Sequence, residues 1–255
     1  MKDFEHKVVL VTGGNSGIGR AAALMFAQRG ARVAIAARRA SEVDAVVREI
    51  EALGGSAMGV ATDISDPMQV KEMIQRTVAR FGKLDAAFNN AGAIGRWDAI
   101  DAVEVEDFDH VIGVNLRGTW LCVREEIAQM KRQGLGGAIV NTSSWLSQGA
   151  LRGSGLYSMT KAALDSLTKS LVFECSDHGI RVNNVAPGVV DTPMTSGSAT
   201  DELLASLISH TPMNRMATAD EIAQAAVWFC SNQSGFVTGQ TLLVDGGYTI
   251  AGNRI

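Results

Sequence analysis

The segment Tyr157-Ser158-Met159-Thr160-Lys161 holds a phenol and an amine at a spacing that could move a proton. Residues four apart lie on one face of a helix, so Tyr157 and Lys161 would be neighbours there. A free phenol titrates near pH ~10, and an adjacent ammonium group favours the phenolate and lowers the phenol pKa. The pair therefore indicates proton transfer at a carbonyl oxygen. The alternative is a packed phenol beside a solvated amine.

A hydroxyl that could serve the same oxygen belongs to Ser144, thirteen residues before Tyr157. Ser144 lies just beyond the apolar run Ala138 to Thr142, which is typical of a buried strand. Open α/β sheets bind ligands at the carboxyl ends of their strands. We therefore predict that Ser144 hydrogen-bonds the oxygen at which Tyr157 acts.

A glycine-rich turn, Thr12 to Gly19, separates the apolar run Val8 to Thr12 from the helix-forming stretch Arg20 to Gln28. Glycines permit positive φ and let the backbone approach a pyrophosphate, which binds free N–H groups at a helix N-terminus. The turn predicts a dinucleotide site, and a purely structural turn is the alternative. The residues expected to bind the dinucleotide here are Gly13, Asn15, Ser16, Gly17, Ile18 and Gly19.

The end of the second apolar run carries information on which dinucleotide is preferred. An acidic residue about 20 positions beyond such a turn accepts from a ribose 2′-hydroxyl, whereas an arginine accommodates a 2′-phosphate. Ala37 stands at the acidic position, followed by Arg38 and Arg39. This favours NADP(H), with NAD(H) possible. The alternative is that both arginines are solvated residues before a helix at Ser41.

Seven short apolar runs alternate with longer segments of helical spacing. This alternation predicts a doubly wound α/β fold, with a parallel sheet of about seven strands between two helical layers. We expect one domain over residues 1–255. The predicted strands are Val8 to Thr12, Arg32 to Ala36, Ala57 to Ala61, Leu84 to Phe88, Ala138 to Thr142, Arg181 to Ala186 and Leu242 to Val244.

Helix signals lie between these runs. Ser65-Asp66-Pro67 with Gln69, and Thr218 with Glu221, resemble capping boxes. Long helices are predicted over Glu106 to Met130 and Leu156 to Ser176. The polar segment from Thr192 to Thr211 interrupts the alternation and suggests a lid or substrate loop.

Composition excludes several classes of function. The 23 Lys and Arg against 27 Asp and Glu give a net charge of −4, which argues against a nucleic-acid-binding face. The three cysteines lie far apart without a C-x-x-C pair, and with the histidines they indicate no metal site. No apolar run approaches the ~18 residues of a membrane span, and the N-terminus is unlike a signal peptide. We expect a cytoplasmic protein without membrane or nucleic-acid partners.

These motifs together resemble those of the short-chain dehydrogenase/reductase family, in its single-domain branch. The resemblance covers nearly the whole chain, and its motifs occur in order. They are T-G-x-x-x-G-x-G at Thr12 to Gly19, Asn89-Asn90-Ala91-Gly92, Asn115, Y-x-x-x-K at Tyr157 to Lys161, and Pro187-Gly188 with Thr192.

The resemblance implies a Rossmann-like fold and reversible NAD(P)-dependent reduction of a ketone or aldehyde to an alcohol. It implies a catalytic set of Asn115, Ser144, Tyr157 and Lys161, in which Asn115 binds a water and Lys161 also holds the nicotinamide ribose. A homotetramer is expected as well. The further cofactor contacts that it implies are Asp63 and Ile64 at the adenine, Asn90, Ala91 and Gly92 along the groove, and Pro187, Gly188, Val190 and Thr192 towards the nicotinamide. Each of these has an alternative as a turn or strand-end residue.

Trp145 departs from the small residue that the family commonly has after the catalytic serine. It either narrows the substrate pocket, beside Ser144 and Tyr157, or packs beneath the loop. The expected pocket wall is mostly apolar, which favours a hydrophobic or aromatic ketone over the alternatives, a sugar or an acyl-carrier thioester. A non-catalytic dinucleotide-binding regulator is the rival function, although it would not need Ser144, Tyr157 and Lys161 together.

Overall fold

Seven parallel strands form one sheet in the computed structural model, which describes residues 2–250. Each sequence-predicted strand is present with bounds within one residue, except that the fourth begins two residues later than expected. Met1 and residues 251–255 of the predicted domain lie outside the described residues. The strands are β1 (Val8–Thr12), β2 (Arg32–Ala37), β3 (Ser56–Ala61), β4 (Ala86–Asn89), β5 (Gly137–Thr142), β6 (Ile180–Pro187) and β7 (Thr241–Val244).

The strand order is β3-β2-β1-β4-β5-β6-β7. The chain thus moves outward from β1 in one direction and then returns to build the other half from β4. Thr12 at the end of β1 lies in register with Ala36 on β2 and with Asn89 on β4. The point where the order reverses is where doubly wound sheets bind ligands. The predicted doubly wound α/β fold is confirmed.

Helices cover both faces of the sheet, which explains why the strands are continuously apolar. Val9 and Val11 of β1 belong to the core cluster on one face, whereas Val8 and Leu10 belong to the cluster on the other. The helices are α1 (Gly17–Gln28), α2 (Ala40–Ala52), α3 (Pro67–Phe81), α4 (Val105–Val111), α5 (Thr119–Gln133), α6 (Gly155–Cys175), α7 (Pro193–Ser196), α8 (Asp201–His210) and α9 (Ala219–Cys230).

The helix predicted over Glu106 to Met130 is interrupted. A π-helical stretch, Ile112–Gly118, separates α4 from α5, although the backbone stays helical through both junctions. The prediction of one regular helix was therefore wrong in this stretch. Isolated π turns occur frequently at functional sites.

The two predicted capping boxes have different outcomes. Thr218 and Glu221 form the complete box at the start of α9. At the start of α3, Asp66 accepts hydrogen bonds from the N–H groups of Met68 and Gln69. The Gln69 side chain accepts from the N–H of Asp63 instead of that of Asp66, so this box is not closed as predicted.

The segment predicted as a lid or substrate loop, 192–211, contains two helices, α7 and α8. Thr192 and Thr200 cap them through their side chains. Among the helices described, none has the length and hydrophobicity needed to cross a membrane.

Candidate active site

The glycine turn lies against the end of β4. Gly13 has φ of +64°, and a Cβ added there would lie 2.8 Å from the Ala91 Cα. A Cβ on Gly19 would lie 2.2 Å from the Gly13 carbonyl oxygen, inside any allowed contact. The absence of side chains at these positions therefore lets the turn close tightly on the strand ends.

The start of α1 keeps its backbone donors available. In the described part of the chain, Ser16 makes no side-chain capping hydrogen bond there. Asn90 holds the turn in place by donating to the Gly13 carbonyl oxygen, while the Thr12 hydroxyl accepts from the N–H groups of Asn90 and Ala91. A pyrophosphate needs such donors and close backbone approach, so these residues fit the dinucleotide predicted from the sequence.

At the end of β2, Arg38 and Arg39 have different surroundings. Arg39 forms an ion pair with Glu42, which also accepts a 2.6 Å hydrogen bond from the Asn15 amide. Arg38 has no ion pair with another described residue, lines the cavity, and lowers the pKa of Asp63 through its charge. Arg38 is therefore the arginine whose guanidinium is available to a ligand phosphate.

Asp63 and Ile64 follow β3 on the same side. Burial raises the pKa of Asp63, but hydrogen bonds from Ser65 outweigh it and the net pKa is lowered. Asp63 accepts from both the backbone N–H and the hydroxyl of Ser65. Ile64 is buried against Gly118 of the π-helical stretch, where an added Cβ would lie 2.9 Å from the isoleucine side chain.

The end of β6 forms the opposite border of the groove. Gly188 is packed so closely that a Cβ would lie 2.7 Å from the Asp245 Cα. Val190 is buried and pairs with Ala217 in an isolated parallel bridge, and Thr192 lies beside Gly17 of the glycine turn. The same cavity as the turn is therefore lined by Pro187, Gly188, Val189, Val190 and Thr192.

Ser144, Tyr157 and Lys161 also line this cavity. The Lys161 side chain is 3% exposed, and its Nζ donates a 2.7 Å hydrogen bond to the Thr142 carbonyl oxygen. Nζ lies 5.5 Å from the centre of the Tyr157 ring. The structure thus brings the three predicted side chains together at the end of β5 and the first turns of α6.

Burial shifts the pKa values of the pair in opposite directions. It raises the pKa of Tyr157 to about 12, against a hydrogen bond from Ser144 that lowers it. It lowers the pKa of Lys161 to about 8, against the charge of Asp165, which raises it. The net pKa of the phenol is therefore raised, because desolvation is the larger effect. At neutral pH the phenol keeps its proton.

Asn115 lies in the π-helical stretch and is fully buried. Its side chain accepts from the N–H of Ala93 and donates to the Ala93 carbonyl oxygen, both at 2.7 Å. A Cβ on Gly92 would lie 3.4 Å from Asn115 Oδ1 and 3.8 Å from Lys161 Nζ. Asn115 therefore fixes the segment after β4 close to the lysine.

The structure places Trp145 at the cavity in a well-packed position. It lines the cavity, yet it is only 6% exposed and its ring packs on Tyr248 with centroids 4.5 Å apart. It also leaves no room for a side chain at Gly149, whose Cβ would lie 2.7 Å from the indole. Trp145 is therefore a well-packed part of the cavity wall.

One cavity of about 600 Å³ is lined by the glycine turn and by Ser144, Tyr157 and Lys161, whereas the predicted site residues Gly19 and Asn115 lie behind this lining. Within the described chain its charged lining residues are Arg38, Arg39 and Asp63 at one end and Lys161 at the other. The wall around Ser144 and Tyr157 is largely apolar. Its apolar members include Ile94, Trp97, Trp145, Leu146, Leu151, Met194, Leu203, Leu204 and Leu207.

Sequence reasoning missed some partners of the site. Glu42 follows Arg39 by three residues in α2, so helical spacing could have indicated that pair. The acceptor for Lys161 is a backbone carbonyl, which no residue type indicates. Asp165 lies one turn after Lys161 and also carries no motif of its own.

The chain is similar to known oxidoreductases over almost its full length. A model of the short-chain dehydrogenase/reductase family, described as enoyl-(acyl carrier protein) reductase, matches residues 13–249. The chain is 39% identical over 246 residues to the A-factor type gamma-butyrolactone 1'-reductase (1S-forming) of Streptomyces virginiae, covering 96% of both proteins. It is 35% identical over 246 residues to the cyclohexanol dehydrogenase of Acinetobacter sp. (strain SE19), also covering 96% of both.

A solved structure gives the same result. The crystal structure of a short-chain type dehydrogenase/reductase from Mycobacterium marinum matches with a TM-score of 0.94 and 32% identity, covering 98% of each chain. Such relatives are oxidoreductases that act on alcohol or ketone groups and use NAD(P)(H). The chain belongs to the short-chain dehydrogenase/reductase family.

Proposed function

We propose that this protein transfers hydride between NADP(H) and the carbonyl carbon of a neutral, apolar ketone or aldehyde, forming the alcohol reversibly. The observation that carries the proposal is the shared cavity, which the glycine turn lines at one end and Ser144, Tyr157 and Lys161 line at the other. A non-catalytic nucleotide-binding protein would not need this second end.

Tyr157 is the general acid for reduction and the general base for oxidation. Its raised pKa keeps the phenol protonated at neutral pH, which is the form that donates to a carbonyl oxygen. Ser144 donates a hydrogen bond to the same oxygen, and the Lys161 ammonium group stabilises the phenolate that remains. These groups act on negative charge that develops in the transition state. The bound nicotinamide supplies the hydride.

Asn115 and Lys161 replace the proton that Tyr157 gives up. Both approach the position of Gly92, where a side chain would contact each of them. Asn115 binds the water that connects Lys161 to solvent. Lys161 also binds the nicotinamide ribose.

Cofactor binding is assigned to the ends of five strands, β1 to β4 and β6. The glycine turn would hold the pyrophosphate, Asp63 and Ile64 would flank the adenine, and Val190 and Thr192 would face the nicotinamide amide. The remaining contacts come from Asn15, Ser16, Ile18, Asn90, Ala91, Gly92, Pro187 and Gly188. Arg38 holds the 2′-phosphate, since Ala37 brings no carboxylate and Arg39 is engaged with Glu42.

The substrate is a neutral ring ketone or its alcohol. Apart from Lys161, the wall near Ser144 carries no charged side chain among the described lining residues. The segment 192–211 supplies Met194 and the leucines of α8 to this wall and acts as the substrate loop. The similar protein from Acinetobacter is named a cyclohexanol dehydrogenase, and cyclohexanol is a ring alcohol of this kind.

An NADPH-oxidation assay with cyclohexanone, an aldose and an acyl thioester tests the proposal. We expect turnover with cyclohexanone and little with the charged thioester or the polar sugar. Turnover of an enoyl thioester instead would assign reduction to a C=C bond. NADPH binding without turnover of any carbonyl would favour the regulatory alternative.

A further inference from the structure

A row of buried amide side chains crosses half of the sheet. Asn89 on β4, Asn141 on β5, Asn184 on β6 and Thr241 on β7 occupy successive register positions. The three asparagines are 3% exposed or less. Polar residues at matching positions of four neighbouring strands in an apolar sheet require a specific hydrogen-bonding role.

The hydrogen bonds of the row all run in one direction, from Asn89 towards Asp165. The amide nitrogen of Asn89 donates to Asn141 Oδ1 at 3.1 Å, and that of Asn141 donates to Asn184 Oδ1 at 3.1 Å. The Asn184 nitrogen donates in turn to Asp165 Oδ1 at 3.1 Å. The same carboxylate oxygen accepts from the hydroxyls of Ser143 and Thr241, at 2.8 and 3.0 Å. An ionised carboxylate can only accept, so Asp165 is a suitable end for the row.

The other end needs a donor. Asn89 donates a second hydrogen bond, of 2.9 Å, to Oε2 of the fully buried Glu126. Asn89 Oδ1 and Glu126 Oε1 are both buried and have no hydrogen-bond partner within the described chain. These two atoms belong to one amide–carboxyl pair. A protonated carboxyl would supply the missing donor, and a hydrogen bond from it to Asn89 Oδ1 would satisfy both atoms.

The surroundings of Glu126 agree with a neutral carboxyl. Burial raises its pKa to about 8, against the hydrogen bond from Asn89. Among the described residues, the charge of Glu126 acts on two other titratable groups. They are Cys122 on the same helix and Cys230 on α9. Burial raises the pKa of both thiols, so they stay neutral and bring no cation to hold a carboxylate.

Asp165 connects the row to the catalytic pair. It lies one helical turn after Lys161 in α6, and its charge opposes the effect of burial on the lysine. The Ser143 hydroxyl, which donates to Asp165, also lies 3.3 Å from the Lys161 carbonyl oxygen. Ser143 immediately precedes Ser144. One carboxylate therefore contacts the strand end that carries the serine and acts on the helix turn that carries the lysine.

We propose that Asp165 is a positioning residue that keeps Lys161 cationic and fixes the Ser143–Ser144 strand end, held by a one-directional row of hydrogen bonds that begins at a protonated Glu126. The role in turnover rests on the proposed function. The charge state of Lys161 does not, and it is measurable without turnover.

The test of Asp165 compares Asp165→Asn with Glu174→Gln, which removes an exposed charge from the same helix. The new amide keeps the oxygen that accepts from Ser143, Asn184 and Thr241 but loses the charge. The pH dependence of Lys161 acetylation by acetic anhydride, read by mass spectrometry, gives the midpoint of its titration. We expect a fall of roughly half a pH unit in Asp165→Asn, and none in Glu174→Gln.

The pH dependence of turnover is the second measurement. The alkaline limb of kcat for ketone reduction should move to lower pH in Asp165→Asn, with KM unchanged. An unshifted acetylation midpoint would overturn the proposal, and so would an Asp165→Asn variant that does not fold. If the wild type reduces no carbonyl compound but the acetylation midpoint still shifts in Asp165→Asn, the proposed function is refuted and the role of Asp165 stands.

Glu126→Gln tests the head of the row, with Glu125→Gln as the neighbouring control. The glutamine amide reproduces both hydrogen bonds of a protonated carboxyl. A folded-state pKa above the unfolded one, near ~4.3, means that this stability is complete at acid pH and is lost as pH rises through about 8. We expect Glu126→Gln to match the wild-type Tm at pH 4 and to exceed it at pH 9. Parallel Tm curves for the two proteins would overturn the protonated state of Glu126.

Discussion

Burial acts on both titratable side chains of the proposed catalytic pair, and at neutral pH it leaves each in the form that the proposed ketone reduction would need. Tyr157, with a pKa of about 12, stays a neutral acid, and Lys161, with a pKa of about 8, stays mostly cationic. In the proposed reduction, phenolate formation would therefore depend on the developing charge of the substrate oxygen. The residue types could be predicted from spacing alone, but desolvation depends on what the fold packs around them.

The clearest prediction at this scale concerns Tyr157→Phe. The ring packing is kept while the proton donor is lost, so turnover should fall by about 10² to 10⁴-fold, the usual share of general acid–base catalysis. NADPH binding, followed by fluorescence titration, should remain within a few-fold of the wild type. A folded variant that retains more than a tenth of the turnover would contradict the role given to Tyr157.

Cofactor preference is a second prediction for single residues. Ala37→Asp with Arg38→Ala should move kcat/KM from NADPH towards NADH, since a charge-assisted hydrogen bond contributes about 1.5–3 kcal/mol, or roughly 10- to 150-fold. Arg39→Ala is the matched comparison and should have the smaller effect, because Glu42 already engages that side chain. A wild type that favours NADH, or a double variant without a shift, would show that Arg38 does not bind a phosphate.

At the scale of elements, strands and caps could be predicted because their signals are local. Continuous apolar runs identified all seven strands, and the spacing of Thr218 and Glu221 identified a cap that the structure closes. The π-helical stretch around Asn115 could not be predicted, because the sequence there keeps an ordinary helical pattern. The row from Asn89 to Asp165 was also missed, since it depends on strand register, which the residues of one strand do not show.

The cap of α9 gives a prediction for stability. Thr218→Ala should lower the free energy of unfolding by about 0.5–2 kcal/mol in urea denaturation, because α9 packs its buried face on the core. Thr200→Ala, the same change at the more exposed α8, should lower it less. Equal effects at both positions would show that the cap of α9 does not contribute through the core.

The same cap should respond to acid. Hydrogen bonds and the charge of Arg215 lower the pKa of Glu221 to about 2. A lowered folded-state pKa means that this stabilisation is present above the unfolded value of ~4.3 and is lost as pH falls towards 2. The difference in unfolding free energy between the wild type and Glu221→Gln should therefore shrink between pH 5 and pH 2. A constant difference over that range would contradict the ion pair with Arg215.

At the scale of the whole molecule, the carboxyl ends of strands from both halves of the sheet line one cavity. In the proposed function, the ends of β1 to β4 and of β6 serve the dinucleotide, and the end of β5 together with α6 serves the carbonyl group. The order of strands could be expected from the alternation of runs and the resemblance, because crossover connections leave few other topologies. The substrate could not, because its wall comes from loops and α8, whose packing no motif describes.

Assembly is the last prediction, and it concerns the surface of α4 to α6. Five large apolar side chains are exposed there, and α4 packs beside α6, so they lie on neighbouring elements. They are Val105, Phe108, Trp120, Met159 and Phe173, the last of them 89% exposed. Exposed apolar surface of this kind marks association sites, and we expect a homotetramer.

Light scattering at micromolar concentration should therefore give about four times the 26.9 kDa chain mass. Trp120→Glu with Phe173→Glu should reduce that mass, because both changes place charge on the surface that association would bury. Leu53→Glu is the matched control, because Leu53 is an exposed leucine at the end of α2 and outside this surface. It should leave the mass unchanged. A wild type of 27 kDa would refute association, while a double variant with unchanged mass would place the interface on another face of the molecule.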